Sequence, residues 1–332
     1  MFVVAGDIGQ TGVLVSTDGV EWEVRPAPGP SWVTTFGVGS GGGRLIGTLY
    51  NSGTKPNLIL SDDSGYSWTS IDHLVPSVGW GVHYSVEQQL WIVRIAGYGV
   101  ARSLDGDNWD NHPISWANNS GNESAPFYAD GNWVMAITRE SQLVRSTDGI
   151  TWSEIDLSDY GQIQGWKPGH GEGQWVVPGR LWGNLGGADG VFRSSNLVDW
   201  EHIAFPSPDT RGFSVHYANG VMVVTSDTGY IYRSLDAGAS WSAIEVVSVS
   251  SSREAEFFDV TYGNGVWVIV GWDDSNGGGL IYTSDDEAET WTKRDYPGWQ
   301  DWHFLTSVTV VDALVAYIPP LRLVQRDDVL PA

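Results

Sequence analysis

One short motif, a Ser, an Asp, a Gly and a Trp at nearly fixed spacing, recurs seven times along the 332 residues. Successive motif tryptophans are separated by 46, 41, 43, 48, 41 and 50 residues. A period of about 45 residues, with room for four short strands per unit, is typical of β-propellers, in which each repeat forms one blade. The motif tryptophans are Trp22, Trp68, Trp109, Trp152, Trp200, Trp241 and Trp291. The sequence therefore predicts an all-β protein, a single seven-bladed propeller of four-stranded antiparallel blades.

Each copy of the motif has the chemistry of a tight turn. The acidic side chain can accept backbone N–H groups, the Gly supplies a left-handed position, and the Trp packs at the start of the next strand. The acidic position is occupied by Asp18, Asp63, Asp105, Asp148, Asn196, Asp236 and Asp286. The fifth copy has Asn and no Gly, and the seventh lacks Gly. We therefore expect these two turns to be looser than the other five.

A second repeat precedes the motif and predicts a hairpin. Asp130-Gly131, Asn219-Gly220 and Asn264-Gly265 each stand between short apolar runs, a strong signal for a two-residue β-hairpin turn. A blade is then strand A, hairpin, strand B, variable loop, strand C, motif turn and strand D. The first blade lacks its own strand A, and residues 302–308 can supply it, which would join the two ends of the chain in one sheet. This divides the chain into a propeller over 1–311 and an extension over 312–332, with extra strands or a subunit anchor.

The seven turns resemble the Asp-box (BNR) repeat of the sialidase-like propellers, whose pattern is roughly S-x-D-x-G-x-x-W. That resemblance implies that the box turns lie on the face opposite the functional one. The face with the B–C and D–A loops would then carry binding or catalysis. The arrangement of hairpin and box with few insertions also resembles propellers found in virion proteins of tailed viruses.

Composition excludes several functions. There are no cysteines, so disulfides, thiolate metal sites and thiol catalysis are absent. The formal net charge of -23 argues against nucleic acid or an anionic membrane as partner. No apolar run is long enough for membrane insertion, and we expect no signal peptide at the N-terminus. With 3 Lys against 14 Arg and 27 Asp against 13 Glu, the composition favours a halophilic, high-salt setting, although a GC-rich genome would also explain the Arg bias.

Residues that could carry chemistry are weak candidates. Four arginines precede a box Ser at a repeat position, which predicts a structural role between blades rather than sialidase activity: Arg102, Arg145, Arg193 and Arg233. Glycoside hydrolysis needs two carboxylates roughly 5 to 10 Å apart. Loop candidates for such a pair are Asp189, Asp273, Asp274 and Asp301. His83 and His216 share one strand-A position in blades across the ring, which predicts channel lining rather than a metal site. We expect no cofactor.

Sorting the 19 tryptophans isolates a candidate binding face. Seven end the box turns, and four recur in strand B: Trp91, Trp133, Trp175 and Trp267. Four are predicted to begin strand A, with Phe213 and Phe258 in the same slot of other blades: Trp32, Trp80, Trp166 and Trp302. The remaining four fall in predicted loops opposite the boxes and are candidate ligand-binding residues: Trp116, Trp182, Trp272 and Trp299. Companions on that face are Asp273, Asp274, Tyr50 and Tyr160.

The sequence thus favours a non-enzymatic binding or structural module. We expect a virion surface or tail protein, assembled in the host cytoplasm, that contacts a host-surface glycan or glycoprotein through the face opposite the boxes. Other virion proteins would be further partners, through 312–332. Two alternatives stay open: a glycoside hydrolase acting on a polysaccharide, and an intracellular assembly scaffold resembling the propellers that help build photosystem II.

Overall fold

Seven antiparallel sheets follow one another along the chain and form the blades of a propeller, each with four strand positions, and in the fifth blade two short strands share the strand-A position. The computed structural model describes residues 1–8, 12–28, 34–50, 58–71, 79–95, 97–114, 124–137, 142–160, 162–182, 189–207, 210–248, 255–274, 277–297 and 304–311. In each blade the strands are ordered A, B, C and D from the inside outward, as the repeat predicts. The predicted fold class is confirmed.

The strands of blades 1 to 4 are short and regular. Blade 1 contains β1 (Phe2–Asp7), β2 (Gly12–Ser16) and β3 (Glu23–Pro26). Blade 2 contains β4 (Thr34–Gly41), β5 (Arg44–Tyr50), β6 (Leu58–Ser61) and β7 (Thr69–Ile71). Blade 3 contains β8 (Gly79–Ser85), β9 (Leu90–Ile95), β10 (Gly99–Ser103) and β11 (Asp110–Pro113). Blade 4 contains β12 (Phe127–Ala129), β13 (Asn132–Ile137), β14 (Gln142–Ser146) and β15 (Ser153–Ile155).

A short 3-10 helix, Ser158–Tyr160, leads into the remaining blades. Blade 5 contains β16 (Gln162–Gly165), β17 (Gly169–Gly171), β18 (Gln174–Trp182), β19 (Asp189–Ser194) and β20 (Glu201–Ala204). Blade 6 contains β21 (Gly212–Ala218), β22 (Val221–Ser226), β23 (Tyr230–Ser234) and β24 (Ser242–Glu245). Blade 7 contains β25 (Ala255–Gly263), β26 (Val266–Asp273), β27 (Gly278–Ser284) and β28 (Thr292–Lys293), and β29 (Phe304–Val310) follows.

The two ends of the chain close the ring within blade 1. Strand β29 pairs antiparallel with β1, with Phe2 opposite Val310 and Val4 opposite Val308. It therefore supplies the strand A that blade 1 lacks, as predicted. The proposed extension over 312–332 lies outside the described residues. In the part of the chain that the structure describes, no helix has the length and apolar character needed to cross a membrane.

The core lies between the blades. The four strand-B tryptophans are at most 2% exposed, and each packs against strands of the preceding blade. Trp91 of blade 3, for example, shares a cluster with Ile46 and Leu60 of blade 2. A single large aromatic side chain buries much apolar area, so the Trp repeated in strand B stabilises the contact between neighbouring blades. The prediction that repeat aromatics wedge between blades is confirmed for these four.

The innermost strands carry an irregularity at one recurring position. An extra residue interrupts the A–B pairing at Phe36, Trp80, Phe258 and Thr306, and blade 6 has a two-residue interruption at Phe213-Ser214. In blade 5, Trp166, Lys167 and Pro168 separate β16 from β17. The position predicted for the strand-A aromatic residue is therefore wrong in blades 1 and 2. Blade 2 has Phe36 and blade 1 has Thr306 there, while Trp32 and Trp302 lie outside the described residues.

Neighbouring A strands approach closely where one of them has a glycine. A Cβ on Gly41 would lie 2.1 Å from the ring of Tyr84 in the next blade, and one on Gly171 would lie 2.1 Å from the ring of Tyr217. These distances leave no room for any side chain, so the glycines are needed for blade packing. The same two positions correspond in blades 2 and 5, which shows that the contact belongs to the repeat.

Candidate functional site

The strand order assigns each connection to one of two faces. Because the four strands of a blade are antiparallel, the A–B hairpins and the C–D box turns lie on one face, which we call the box face. The B–C and D–A connections lie on the other, which we call the loop face. The predicted hairpins are confirmed: Asn219 and Gly220, for instance, have φ of 51° and 81°, as a type I′ turn requires.

The box turns are built by hydrogen bonds within each motif. In blade 1 the Ser16 hydroxyl donates to Asp18 Oδ1 at 3.1 Å and accepts the Gly19 N–H at 2.8 Å. Asp18 Oδ1 also accepts the N–H groups of Val20 and Glu21, at 2.8 and 3.0 Å. These two N–H groups hold the pKa of Asp18 below its ordinary value. The Asp residues of the boxes therefore act as turn acceptors.

The fifth and seventh boxes keep this network but lose one bond. Asn196 Oδ1 accepts the N–H of Val198 at 2.9 Å, as Asp does elsewhere. Leu197 and Ala288 take the Gly position with φ of 59° and 64°. In the five boxes with Gly, the Trp indole N–H donates to the Gly carbonyl. The buried indole N–H groups of Trp200 and Trp291 have no hydrogen-bond acceptor among the described residues. Each of these two turns therefore has one hydrogen bond fewer than the other five, and the expectation that they are looser stays a prediction.

Arginines fasten box turns to the preceding blade. Arg193 Nε donates to the carbonyl of Ala237 at 2.8 Å, and Arg233 Nε donates to the carbonyl of Glu287 at 2.7 Å. In both cases the arginine of one blade bonds the box backbone of the next. For these two arginines, the structural role predicted from the repeat is what the geometry shows. The box face is thus occupied by the scaffold's own hydrogen bonds.

A buried carboxylate near the axis joins several blades. Asp259, on β25, is 2% exposed. Its Oδ1 accepts Lys167 Nζ at 2.7 Å, Ser214 Oγ at 2.7 Å and its neighbour's N–H from Val260 at 3.0 Å. Its Oδ2 accepts the hydroxyl of Ser307 at 3.0 Å and the N–H of Val308 at 3.1 Å. Five donors compensate the cost of burying this charge.

Sequence reasoning missed this network, although a signal for it exists. When the seven A strands are aligned on their hairpins, one position of the alignment, which we call the polar column, lies at the same level of every blade. In order from blade 1 to blade 7 the column is Ser307, Gly37, Gly81, Ala125, Lys167, Ser214 and Asp259. Four consecutive blades, 5, 6, 7 and 1, are therefore joined by polar side chains, and blades 2 to 4 have small residues in the same place.

His83 and His216 lie two residues after the column residues of their blades, further along the innermost strands towards the box face. Each packs edge-on against the strand-B tryptophan of the following blade, with ring centroids 5.8 Å apart: His83 on Trp133 and His216 on Trp267. Burial, reinforced by the Lys167 ammonium, lowers the pKa of His83 to about 3 and that of His216 to about 4. Both imidazoles are therefore neutral at neutral pH. No group of three or more His, Asp or Glu side chains suited to a metal ion exists among the described residues.

Three aromatic rings line the innermost strands on the loop-face side of the polar network. Trp166 and Phe213 meet edge to face with centroids 5.7 Å apart, and Phe213 lies 5.6 Å from Phe258. Phe213 and Phe258 are half-buried, so part of each ring is accessible, whereas Trp166 is only 8% exposed and supports Phe213 from the side. These rings come from blades 5, 6 and 7, and each precedes the polar column by one residue. We call the three residues the aromatic rim.

Trp272 lies beside the seam between blades 7 and 1. It is the penultimate residue of β26, so the prediction that it lies in the following loop is wrong. Its ring packs on Phe304 with centroids 4.5 Å apart and remains partly exposed. Asp273 ends the same strand and is buried, whereas Asp274 is exposed. Burial, reinforced by the Asp273 carboxylate, raises the pKa of the Tyr282 hydroxyl.

The other candidate residues are more dispersed. Tyr160 packs on Phe192, and its hydroxyl donates to the carbonyl of Trp200 at 2.5 Å, so it joins blade 5 to the preceding connection. Tyr50 and Trp182 end β5 and β18 at the loop-face edge of blades 2 and 5. Asp189 begins β19, where it is buried 3.6 Å from Arg180 Nε. Three further candidates lie outside the described residues: Trp116, Trp299 and Asp301.

Comparison with known proteins shows the fold alone. No family model matches the chain, and no curated protein matches it. The structure "YCF48 bound to D1 peptide" is 15% identical, with a TM-score of 0.57 over 95% of this chain and 94% of that one. A catalytically inactive virginiamycin B lyase from Staphylococcus aureus with quinupristin is 10% identical, with a TM-score of 0.63 over 91% and 99%.

A glycoside hydrolase has a similar fold over part of its length. The GH74 xyloglucanase from Xanthomonas campestris is 11% identical, with a TM-score of 0.55, and the match covers 89% of this chain and 54% of that one. Seven-bladed propellers thus include a peptide-bound protein, a lyase and polysaccharide-degrading enzymes. The chain is a seven-bladed β-propeller, a fold that serves both binding and catalysis.

Proposed function

We propose that this protein is a non-enzymatic binding module that recognises a glycan or glycoprotein through its loop face. The aromatic rim, with Trp272 and Phe304 near it, carries this proposal. Partly exposed aromatic rings can stack on the apolar faces of sugars, and acidic neighbours such as Asp274 can accept hydrogen bonds from sugar hydroxyl groups. On the box face the repeated turn chemistry occupies the Asp and Trp side chains of the motifs in scaffold bonds, so those tryptophans are not available for stacking on a sugar.

Binding is favoured over hydrolysis by how the carboxylates of this half of the molecule are engaged. A glycosidase needs two carboxyl groups that can exchange protons or attack the sugar. Asp259 accepts five hydrogen bonds, and Asp227 accepts the N–H and Nε of Arg211 at 2.8 and 2.7 Å. Asp273 is buried at the end of a strand. The bonds to Asp259 and Asp227 commit these two carboxylates to holding the fold, which supports a role in binding.

The setting we propose is the surface or tail of a tailed virus, with the ligand on the host cell. Two observations support it: the resemblance of the hairpin-and-box repeat to virion propellers, and an acidic, cysteine-free composition. Acidic proteins remain hydrated in concentrated salt, where screening weakens their self-repulsion. Segment 312–332 is the part of the chain we propose for contacts with other virion proteins.

A glycan array and a host-cell attachment assay test the proposal together. Trp272→Ala should weaken binding at least about tenfold, and Trp272→Phe, which keeps the packing on Phe304, should weaken it less. Val24→Ala, on the outer strand β3, is the control and should bind like the unmodified protein. Attachment that survives Trp272→Ala in a correctly folded variant contradicts the loop-face site.

Turnover of the bound glycan is the second measurement. We expect no reducing ends to be released from any glycan that the array identifies. Release that Asp273→Asn abolishes would replace the binding proposal with the hydrolase alternative. Melting curves of each variant separate a lost contact from a lost fold.

A further inference from the structure

The box face exposes large apolar side chains in six of the seven blades. Leu104, Leu235 and Val198 are 74%, 61% and 64% exposed in the boxes of blades 3, 6 and 5, and Val86 is 75% exposed on a hairpin beside them. Three more exposed apolar residues lie in the boxes of blades 1, 2 and 4: Val20, Tyr66 and Ile150. On the outer D strands, among the described residues, Val24 is the large apolar side chain with comparable exposure.

The turns do not require these apolar residues. Leu104 and Leu235 stand between the box Ser and Asp, where the other boxes have Thr17, Asp62, Thr147, Ser195 and Asp285. The box of blade 2, with Asp62 at that position, makes the same Ser61–Asp63 bond, at 2.8 Å, as the box of blade 6 makes between Ser234 and Asp236, at 2.8 Å. Folding would therefore accept polar residues, and the exposed apolar groups need another explanation.

The same face is strongly acidic. None of the seven box turns contains a Lys, Arg or His, and every one contains an Asp or Glu. Among the exposed carboxylates are Glu21, Asp199 and Asp285, while Glu287 lies 3.5 Å from the Arg233 guanidinium. Arg44, on the nearby hairpin of blade 2, is already paired with Asp62 and Asp107, at 2.9 and 2.6 Å. High salt would explain the acids, since they hold water, but it does not explain the exposed leucines and valines.

We propose that the box face is a docking surface for a basic protein segment that also presents aliphatic or aromatic side chains. The carboxylates would attract Lys and Arg of the partner, and the apolar residues would be covered on contact. A second copy of this chain would bring like charges together, and an anionic membrane or nucleic acid would be repelled. The protein would then bind its glycan or glycoprotein ligand through the loop face and a basic protein segment through the box face.

The test selects short random peptides on the immobilised, full-length protein at about 0.15 M salt, where long-range attraction between exposed charges is screened. We expect the enriched peptides to combine Lys or Arg with Leu, Phe or Trp. A triple variant, Val86→Ser with Leu104→Ser and Leu235→Ser, should bind them at least about tenfold more weakly. The pair Glu21→Gln and Asp285→Asn should bind about threefold more weakly, more so at low salt.

Two control variants isolate the surface. Val24→Ser removes an exposed valine from the outer edge and should leave peptide binding unchanged. Trp272→Ala should also leave it unchanged, which separates this proposal from the one for the loop face. Because the side chains substituted on the box face and on β3 are exposed, those variants should fold, and circular dichroism and melting curves check them and Trp272→Ala, whose ring is partly buried against Phe304.

Several results would overturn the proposal. Three concern the peptides: enrichment of peptides without basic residues, no enrichment at all, and equal binding by the triple variant. Another is self-association that the triple variant abolishes. The last, measured by sedimentation, would assign the surface to a second copy of the chain. Binding of phosphatidylserine vesicles through this face would likewise contradict it.

Discussion

The Lys167 ammonium lies 2.7 Å from Asp259 Oδ1 and so joins blade 5 to blade 7 across blade 6. Ser214 of blade 6 donates to the same oxygen, and Ser307 of the closing strand donates to the other. The carboxylate therefore links the strand that closes the ring to three preceding blades. This makes Asp259 the residue whose loss should be felt most widely in the fold.

Replacement of Asp259 by Ala should lower the free energy of unfolding by about 3 kcal/mol or more, because it leaves a lysine, two hydroxyls and two backbone N–H groups without their acceptor. Adding Lys167→Met should recover part of the loss by removing the unpaired charge. Chemical denaturation of the two single variants and the double variant measures both effects. A loss below about 1 kcal/mol for Asp259→Ala would show that water replaces the carboxylate.

Two histidines of the innermost strands should make the free energy of unfolding depend on pH above the range where carboxylates titrate. Burial lowers the pKa of His83 to about 3 and that of His216 to about 4, from 6.5. The unfolded chain therefore binds more protons below pH 6.5 than the folded one, so stability is complete above that pH and falls as the solution becomes more acidic.

The expected slope is at most about 1.4 kcal/mol per pH unit for each histidine. Denaturation between pH 7 and pH 4.5 should show this fall in the unmodified protein and a shallower one in the variant with His83→Gln and His216→Gln. Identical slopes in the two proteins would show that the imidazoles are protonated in the folded state.

The box carboxylates should affect the stability of the protein at lower pH than the two histidines do. Partial burial raises the pKa of Asp105, but hydrogen bonds from Asn108 and Asp107 outweigh it, and the pKa falls to about 2. The stability that these bonds provide is therefore present above pH 3.8 and is lost as the pH falls towards 2.

The chain contains its own control for this effect, since Asn196 makes the same turn bonds without a charge. Asp105→Asn should therefore cost less than about 1 kcal/mol at pH 7 and should flatten the acid dependence below pH 3.8. Acid titration followed by circular dichroism compares the two. An unchanged acid midpoint would mean that Asp105 does not contribute to acid unfolding.

The left-handed position of the boxes predicts a contrast between blades 6 and 7. Gly238 has a φ of 83°, and a Cβ there would lie 3.0 Å from Val176 Cγ2, so Gly238→Ala should destabilise the protein by about 1 to 2 kcal/mol. Ala288 already adopts this conformation, with a φ of 64°, and its methyl group is buried.

For Ala288→Gly the relief of backbone strain and the loss of a buried methyl nearly cancel, so we expect a change within about 1 kcal/mol. Thermal unfolding of the two variants gives the comparison. Equal losses in both would show that the conformation of this residue is not what distinguishes the two turns.

The features predicted well from the sequence are those whose contacts are short in sequence. A box turn closes within four residues, and a hairpin turn within two, so the residue types that form them recur visibly at each period. The closure of blade 1 could also be predicted, because residues 302–308 align with strand A of the other blades and can supply the missing strand. The strand-A slot was misplaced in blades 1 and 2, since Phe36 and Thr306 sit at a bulge that a simple alignment of aromatics does not register.

The sequence by itself determined the seven blades, their strand order and the two faces, because repeated turn chemistry and strand periodicity are local properties. Only the tertiary structure brought Lys167, Ser214, Asp259 and Ser307 together and placed Trp272 against Phe304. These residues are separated along the chain by tens of residues, and each occupies a position that other blades fill differently. Their contacts exist because the ring closes, and ring closure is a property of all seven blades at once.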